Sequence, residues 1–198
     1  MKGNAILQVT RALNDRLVTA LAASGVPGTV FVGPLDDPGA SGAALILFLY
    51  RIEASTVLRN REHRVVSSTP PPSVLVFENS LPLNLYFLIT VGTKPGPTEE
   101  TLLGALGFVM QSLQMDPNLT GSKIDHDTIH VSLEPLSTEE ISRIWALFPT
   151  ANYRTSVAYL VTPAWIDPPD PDPIAAPVMQ DQLNAGAKIP PPPQSGAP

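Results

Sequence analysis

Apolar positions in the first segment of the chain fall at Ile6, Val9, Leu13, Leu17 and Leu21, three and four residues apart. That spacing aligns side chains along one stripe and predicts an opening helix. It should stop at "SGVPG", where Gly25 suits a left-handed cap and Pro27 cannot extend the helix. Two short β-rich runs follow, "TVFVG" at 29–33 and "AALILFLYRIEA" at 43–54, separated by the loop "GPLDDPGASG". In the second run Leu45, Leu47 and Leu49 alternate with Ile46, Phe48 and Tyr50, so both faces are apolar. A strand of that kind belongs inside a sheet covered on both sides.

The strongest alternation is in "PLNLYFLITVG", 82–92, with Leu83, Leu85, Phe87, Ile89 and Val91 on one face. After "TKPGP", Thr98 reads as an N-cap, Glu99 and Glu100 suit the positive end of a helix dipole, and Leu102, Leu106, Val109, Met110 and Leu113 keep helical spacing to Met115. "TIHVSLE", 128–134, alternates as a strand. Ser137 and Glu140 have capping-box spacing ahead of Ile141, Ile144, Trp145 and Phe148, a short helix, and "TSVAYLVTPAWI", 155–166, reads as the last strand. The sequence therefore predicts an α+β (α/β-like) domain over 1–166, with one mixed sheet of about five strands flanked by helices. From Asp167 the chain becomes proline-rich and ends in "IPPPPQSGAP", a composition that favours a solvated, disordered extension over 167–198.

Composition narrows the function. With 198 residues, 43% hydrophobic and 15% charged, the chain can bury one core and leaves apolar surface for an assembly to cover. It has no cysteine, which excludes disulfides, thiolate metal sites and cysteine nucleophiles. Asn14, Asp15 and Arg16 interrupt the first apolar pattern, so no signal-peptide core or membrane span is expected, and synthesis and assembly are expected in the cytoplasm. In "DHDTIH", His126 and His130 are four apart beside Asp125 and Asp127. On a strand those histidines stand about 13 Å apart, too far for one metal, so a polar turn entering a strand is expected there. No ordered glycine loop follows a strand, so nucleotide binding is not expected, and no motif in the chain calls for a cofactor. Trp145 and Trp165 follow apolar periods and read as core or interface anchors.

One segment runs against the net charge of -6. "TVLRNREHRVV", 56–66, gathers Arg59, Asn60, Arg61, His63 and Arg64. A nucleic-acid surface would come with a basic domain, which this is not. A basic strip on an acidic protein suits a partner's carboxylates, to which arginine donates two parallel hydrogen bonds. The other reading is a solvated loop beside the sheet.

Taken in order, "LYRIEASTVLRNREHR", "LPLNLYFLITV", "LLGALGFVMQSLQ", "VSLEPLSTEEISRIWALF" and "YRTSVAYLVTP" resemble the cap, or tube-terminator, proteins of extracellular contractile injection systems. These are the phage-tail-like particles of the antifeeding-prophage and virulence-cassette type. The most specific pieces are Leu58, Arg59 and Asn60; Leu136, Ser137, Glu140 and Trp145; and Tyr153, Arg154, Ser156, Tyr159 and Val161. The resemblance spans residues 4–166. It implies a tail-terminator-like fold and a non-enzymatic structural protein, a homo-oligomer in a sixfold ring on the end of an inner tube protein that also meets the sheath protein. Neither nucleic acid nor membrane is implied as a partner, and the arginine segment becomes its expected subunit or partner interface. Two further classes stay open: a monomeric interaction module using "STPPPS" and the proline-rich tail, and a small metal-dependent hydrolase using His126 or His130.

Overall fold

The computed structural model of the chain describes residues 3–67, 73–121, 124 and 127–170. Helix α1 runs Ala5–Ala23 and buries Val9, Leu13, Leu17 and Leu21, as the spacing predicts. It ends with Gly25 in the left-handed region, φ 73°. Strands β1 (Val30–Val32) and β2 (Leu45–Ala54) follow, joined by a loop with a 3-10 turn at Pro38–Ala40 that Asp37 caps. Then come β3 (His63–Ser67), β4 (Ser73–Phe77), β5 (Leu81–Val91), α2 (Glu99–Met115), β6 (Asn118–Leu119), β7 (Ile129–Glu134), α3 (Thr138–Trp145) and β8 (Ser156–Ile166).

Six strands form one mixed sheet in the order β1-β2-β5-β8-β7-β6. Only β1 and β2 are parallel. The remaining pairs are antiparallel, from Leu47↔Ile89 in β2·β5 to Leu85↔Val161 in β5·β8 and Val131↔Val161 in β7·β8. The expected sheet of about five strands thus gains one. Two-residue β6 is too short for any alternation to register. A second correction is larger: β3 and β4 form a separate two-stranded hairpin where the sequence reading placed a long loop. Each of its strands has five residues, and "STPPP" stands between them in the sequence, so proline and charge mask the alternation of its valines. The proline residues of that stretch, and most of the C-terminal extension, lie outside the described residues.

Alternation along β2 and β5 divides the core in two. Leu45, Leu47, Leu85, Phe87, Ile89 and Val91 face α1 and α2 and join Leu13, Leu17, Leu106 and Val109 in the main cluster. Ile46 and Leu88 face the other way, against Leu35 from the 33–44 loop, Trp145 of α3 and Phe148 just beyond it. Both faces of the central strands are therefore covered, which is why β2 carries leucine on one side and isoleucine and phenylalanine on the other. Burying one such side chain stabilises the fold by about 1.5–3 kcal/mol.

Caps and cross-links complete the elements. Thr98 Oγ1 accepts from the Thr101 amide at the start of α2. Ser137 and Glu140 form the expected capping box, with the Ser137 amide 2.8 Å from Glu140 Oε2 and the Glu140 amide 3.2 Å from Ser137 Oγ. Arg16 of α1 donates to Asp116 Oδ2 at 2.6 Å and to the Asp116 carbonyl at 3.2 Å, placing a cation at the negative end of α2. Trp145 and Trp165 are both buried, as their apolar settings predicted, and the Trp145 indole donates to Ser156 Oγ.

Candidate interface site

Beyond Ala54 the chain leaves the sheet through turns over 56–60, where the Arg61 amide donates to the Leu58 carbonyl at 2.9 Å. Val57, Arg59, Asn60 and Arg61 all face solvent, Val57 with 81% of its surface exposed. Among the described residues Arg59 and Arg61 pair with no carboxylate. Strand β3 then starts at His63, and its period of two sends Arg64 and Val66 outward while His63 turns in. Arg64 is held by its neighbour Glu62, with Nη2–Oε2 at 2.8 Å.

The structure therefore brings Arg59, Asn60, Arg61 and Arg64 to one exposed promontory and takes His63 out of it. His63 is 4% exposed. Its Nδ1 lies 2.8 Å from Asp167 Oδ1 and its Nε2 3.1 Å from Asp127 Oδ1. The ring stacks on Trp165 with centroids 4.7 Å apart and planes 8° from parallel. Burial works against a charged imidazole here, but the hydrogen bonds to Asp127 and Asp167 outweigh it and hold its proton affinity above the ordinary range. Burial likewise raises the Asp167 carboxyl, yet bonds from His63 and Ser80 carry it below its ordinary value. No local signal announces this cluster. Asp127 and Asp167 are 64 and 104 residues from His63, and a histidine among arginines reads as one more polar surface residue.

The other sequence candidates are scattered. His130 is exposed on β7 with Nδ1 3.1 Å from Asn118 Oδ1, while Asp125 and His126 lie outside the described residues. Among the described residues no group of three histidine, aspartate or glutamate side chains is arranged to hold a metal ion, and no helix is long and apolar enough to cross a membrane. On the sheet face beside α3, Arg51 lies over the Tyr86 ring at 4.7 Å and pairs with Glu53, which also accepts from the Tyr86 hydroxyl at 3.1 Å. Burial, helped by Glu134, pushes the adjacent Tyr50 hydroxyl up to about 12. In this network Arg51 and Glu53 satisfy each other, with Tyr86 bonded to the same Glu53.

The arrangement is thus a six-stranded mixed sheet with two helices on one face, a third on the other, and a separate two-stranded hairpin preceded by the arginine-bearing turns. The sequence matches the Pvc16 N-terminal domain over residues 8–180. The chain belongs to that family. Two solved structures share the fold of this Pvc16-type domain. One is the sheath/tube terminator, in the extended state, of the extracellular contractile injection system PVC, with TM-score 0.53 and 18% identity over 89% of this chain and 63% of that one. The other is the tube-terminating cap of the anti-feeding prophage, with TM-score 0.52 and 18% identity over 82% of this chain and 58% of that one. The chain thus spans less than two thirds of the length of either structure. No curated protein matches it. The Pvc16-type fold agrees with the α+β, terminator-like architecture that the ordered motifs implied, and its polar contacts run to Asp167, one residue past the expected end of the domain at 166.

Proposed function

We propose that this protein is a structural cap: it forms a homo-oligomeric ring, sixfold by resemblance, that ends the inner tube of a contractile injection system and meets the end of the sheath. The observation that carries this reading is the Pvc16 N-terminal domain match over residues 8–180, supported by a fold shared with two tube terminators. The role has a physical logic. A stack of identical rings offers an interface that repeats without limit, and growth stops when a ring is added whose outer face does not reproduce it. Such a subunit needs a rigid sheet and wide contacts, and its work requires neither cofactor nor catalysis. The chain is made and assembled in the cytoplasm as part of a phage-tail-like particle, with residues 1–166 as the capping domain and 167–198 as its proline-rich extension. Arg59, Asn60, Arg61 and Arg64 form the electropositive side of its contact with an adjacent cap subunit or with the tube or sheath beneath.

Particles purified from a strain lacking this protein, compared by negative stain with those from a complemented strain, test the reading. Tubes of uncontrolled length, or particles missing density at one end, are expected. Particles of normal length with intact ends, or a tagged copy distributed along the shaft, would overturn it.

A further inference from the structure

Segments far apart in sequence converge on the single imidazole of His63. Asp167 reaches it from the end of β8, Asp127 from the connection before β7, and the Ser80 hydroxyl, from the turn between β4 and β5, donates to the same Asp167 oxygen at 2.8 Å. Trp165 covers one side of the ring and Phe77 of β4 stacks at 6.1 Å. Among the described residues, the charged groups facing His63 are these two carboxylates; the hydroxyl and the two aromatic rings are its uncharged neighbours.

The donor count decides what this arrangement can do. A neutral imidazole has one N–H and one lone pair, whereas the imidazolium has two N–H groups. Both ring nitrogens lie within hydrogen-bond distance of a carboxylate oxygen, and a carboxylate can only accept. Only the protonated ring satisfies both. Loss of the proton turns a lone pair toward one of the two carboxylates. Asp127 has little in reserve, because its second oxygen, Oδ2, is buried with no hydrogen bond among the described residues. A buried carboxylate deprived of its donor is strongly unfavourable and is relieved by opening.

The hairpin that His63 begins has few alternatives for staying docked. Strands β3 and β4 pair with each other and with no strand of the main sheet, and a lone two-stranded hairpin is marginal in water. Val66 is 70% exposed, so its outer face contributes nothing to docking. We propose that His63 is a pH-operated latch that fastens the β3–β4 hairpin, and with it the arginine-bearing loop at 56–62, to the end of the main sheet. This inference is independent of what the arginines touch and of the capping role.

The direction of the pH effect follows from the two shifted groups. His63 binds its proton more tightly folded than unfolded, so its contribution is fully present below about pH 6.5 and is lost as pH rises through its folded-state value. Asp167 is shifted down, so its contribution is present above about pH 3.9 and is lost as pH falls through its own folded value. The latch is closed between those limits and opens on the alkaline side.

Amide hydrogen exchange on the full chain between pH 5 and 9, normalised at each pH to the intrinsic exchange rate, reads the latch directly, and NMR titration of the imidazoles reads His63 itself. The His63 midpoint should lie above that of the same residue in the urea-unfolded chain. Between the two midpoints the paired amides of β3 and β4 should lose protection by about tenfold per pH unit and then level off at the unlatched limit, while those of β5 hold theirs. Asp127→Asn should lower the His63 midpoint and move hairpin release down the pH scale with it. Hairpin protection that stays level through the His63 transition, a midpoint at or below the unfolded one, or an Asp127→Asn variant that moves neither would overturn the latch.

Discussion

An added Cβ at Gly92 would overlap the carbonyl oxygen of Ala43, because the last residues of β5 lie hard against the chain entering β2: the Gly92 amide donates to the Ala44 carbonyl at 2.8 Å and Lys94 to that of Ala43 at 3.0 Å. Backbone is the obstacle there, and it cannot rotate away as a side chain can. Gly104, on the outer face of α2, meets nothing within 4 Å. Gly92→Ala is expected to cost about 2–4 kcal/mol, and Gly104→Ala to stabilise the protein by about 0.5–1 kcal/mol through helix propensity. Urea denaturation of the two variants beside the parent measures both. A Gly92→Ala protein as stable as the parent would mean that the β5–β2 approach is looser than described; a destabilised Gly104→Ala would show that this face of α2 is not open.

Helix α3 shows how local and tertiary contributions divide within one element. Eight residues are too few for a helix to persist alone in water, whatever its caps. Its box at Ser137 and Glu140 fixes where it starts, and Glu139 and Glu140 in the first turn favour the dipole. What keeps it is the docking of Trp145 and Phe148 against Phe48 and Leu88, with Phe48 and Phe148 in edge-to-face contact at 5.1 Å. Trp145→Ala should therefore cost about 3–5 kcal/mol and Ser137→Ala about 1 kcal/mol, as read from thermal unfolding. The reverse ranking would place the stability of α3 in its own turn. The capping box was legible from the spacing of Ser137 and Glu140 alone; the Trp145 contact with Ser156 of β8 was not, since nothing in either segment names the other.

For the whole molecule, Arg59 and Arg61, which pair with no carboxylate among the described residues, are the feature that bears on the proposed assembly. Arg59 and Arg61 are exposed cations on a chain of net charge -6, and identical acidic subunits repel unless such groups meet the partner's carboxylates. Reversing both, Arg59→Glu with Arg61→Glu, should leave monomer stability within about 0.5 kcal/mol of the parent, because neither side chain supports the fold. Association should weaken, and sedimentation velocity at two salt concentrations measures it, with Arg11→Glu on the exposed side of α1 as a control. Unchanged assembly at both concentrations would reduce the segment to a solvated loop.

The sequence by itself determined the elements whose signals are local: α1 from its stripe of Val9, Leu13 and Leu17, α2 from the Thr98 cap, and the long strands β2 and β5 from alternation that survives wherever the strand is placed. It also determined that the central strands must be covered on both faces. Only the tertiary structure decided that β5 lies between β2 and β8, that β3 and β4 form a separate hairpin, and that His63 leaves the arginines for two distant aspartates. Those outcomes depend on which segments close over one another across scores of residues. A period of two or of 3.6 records which face of an element is apolar; it carries no information about which other element will cover that face, or which buried carboxylate will take a proton-bearing neighbour.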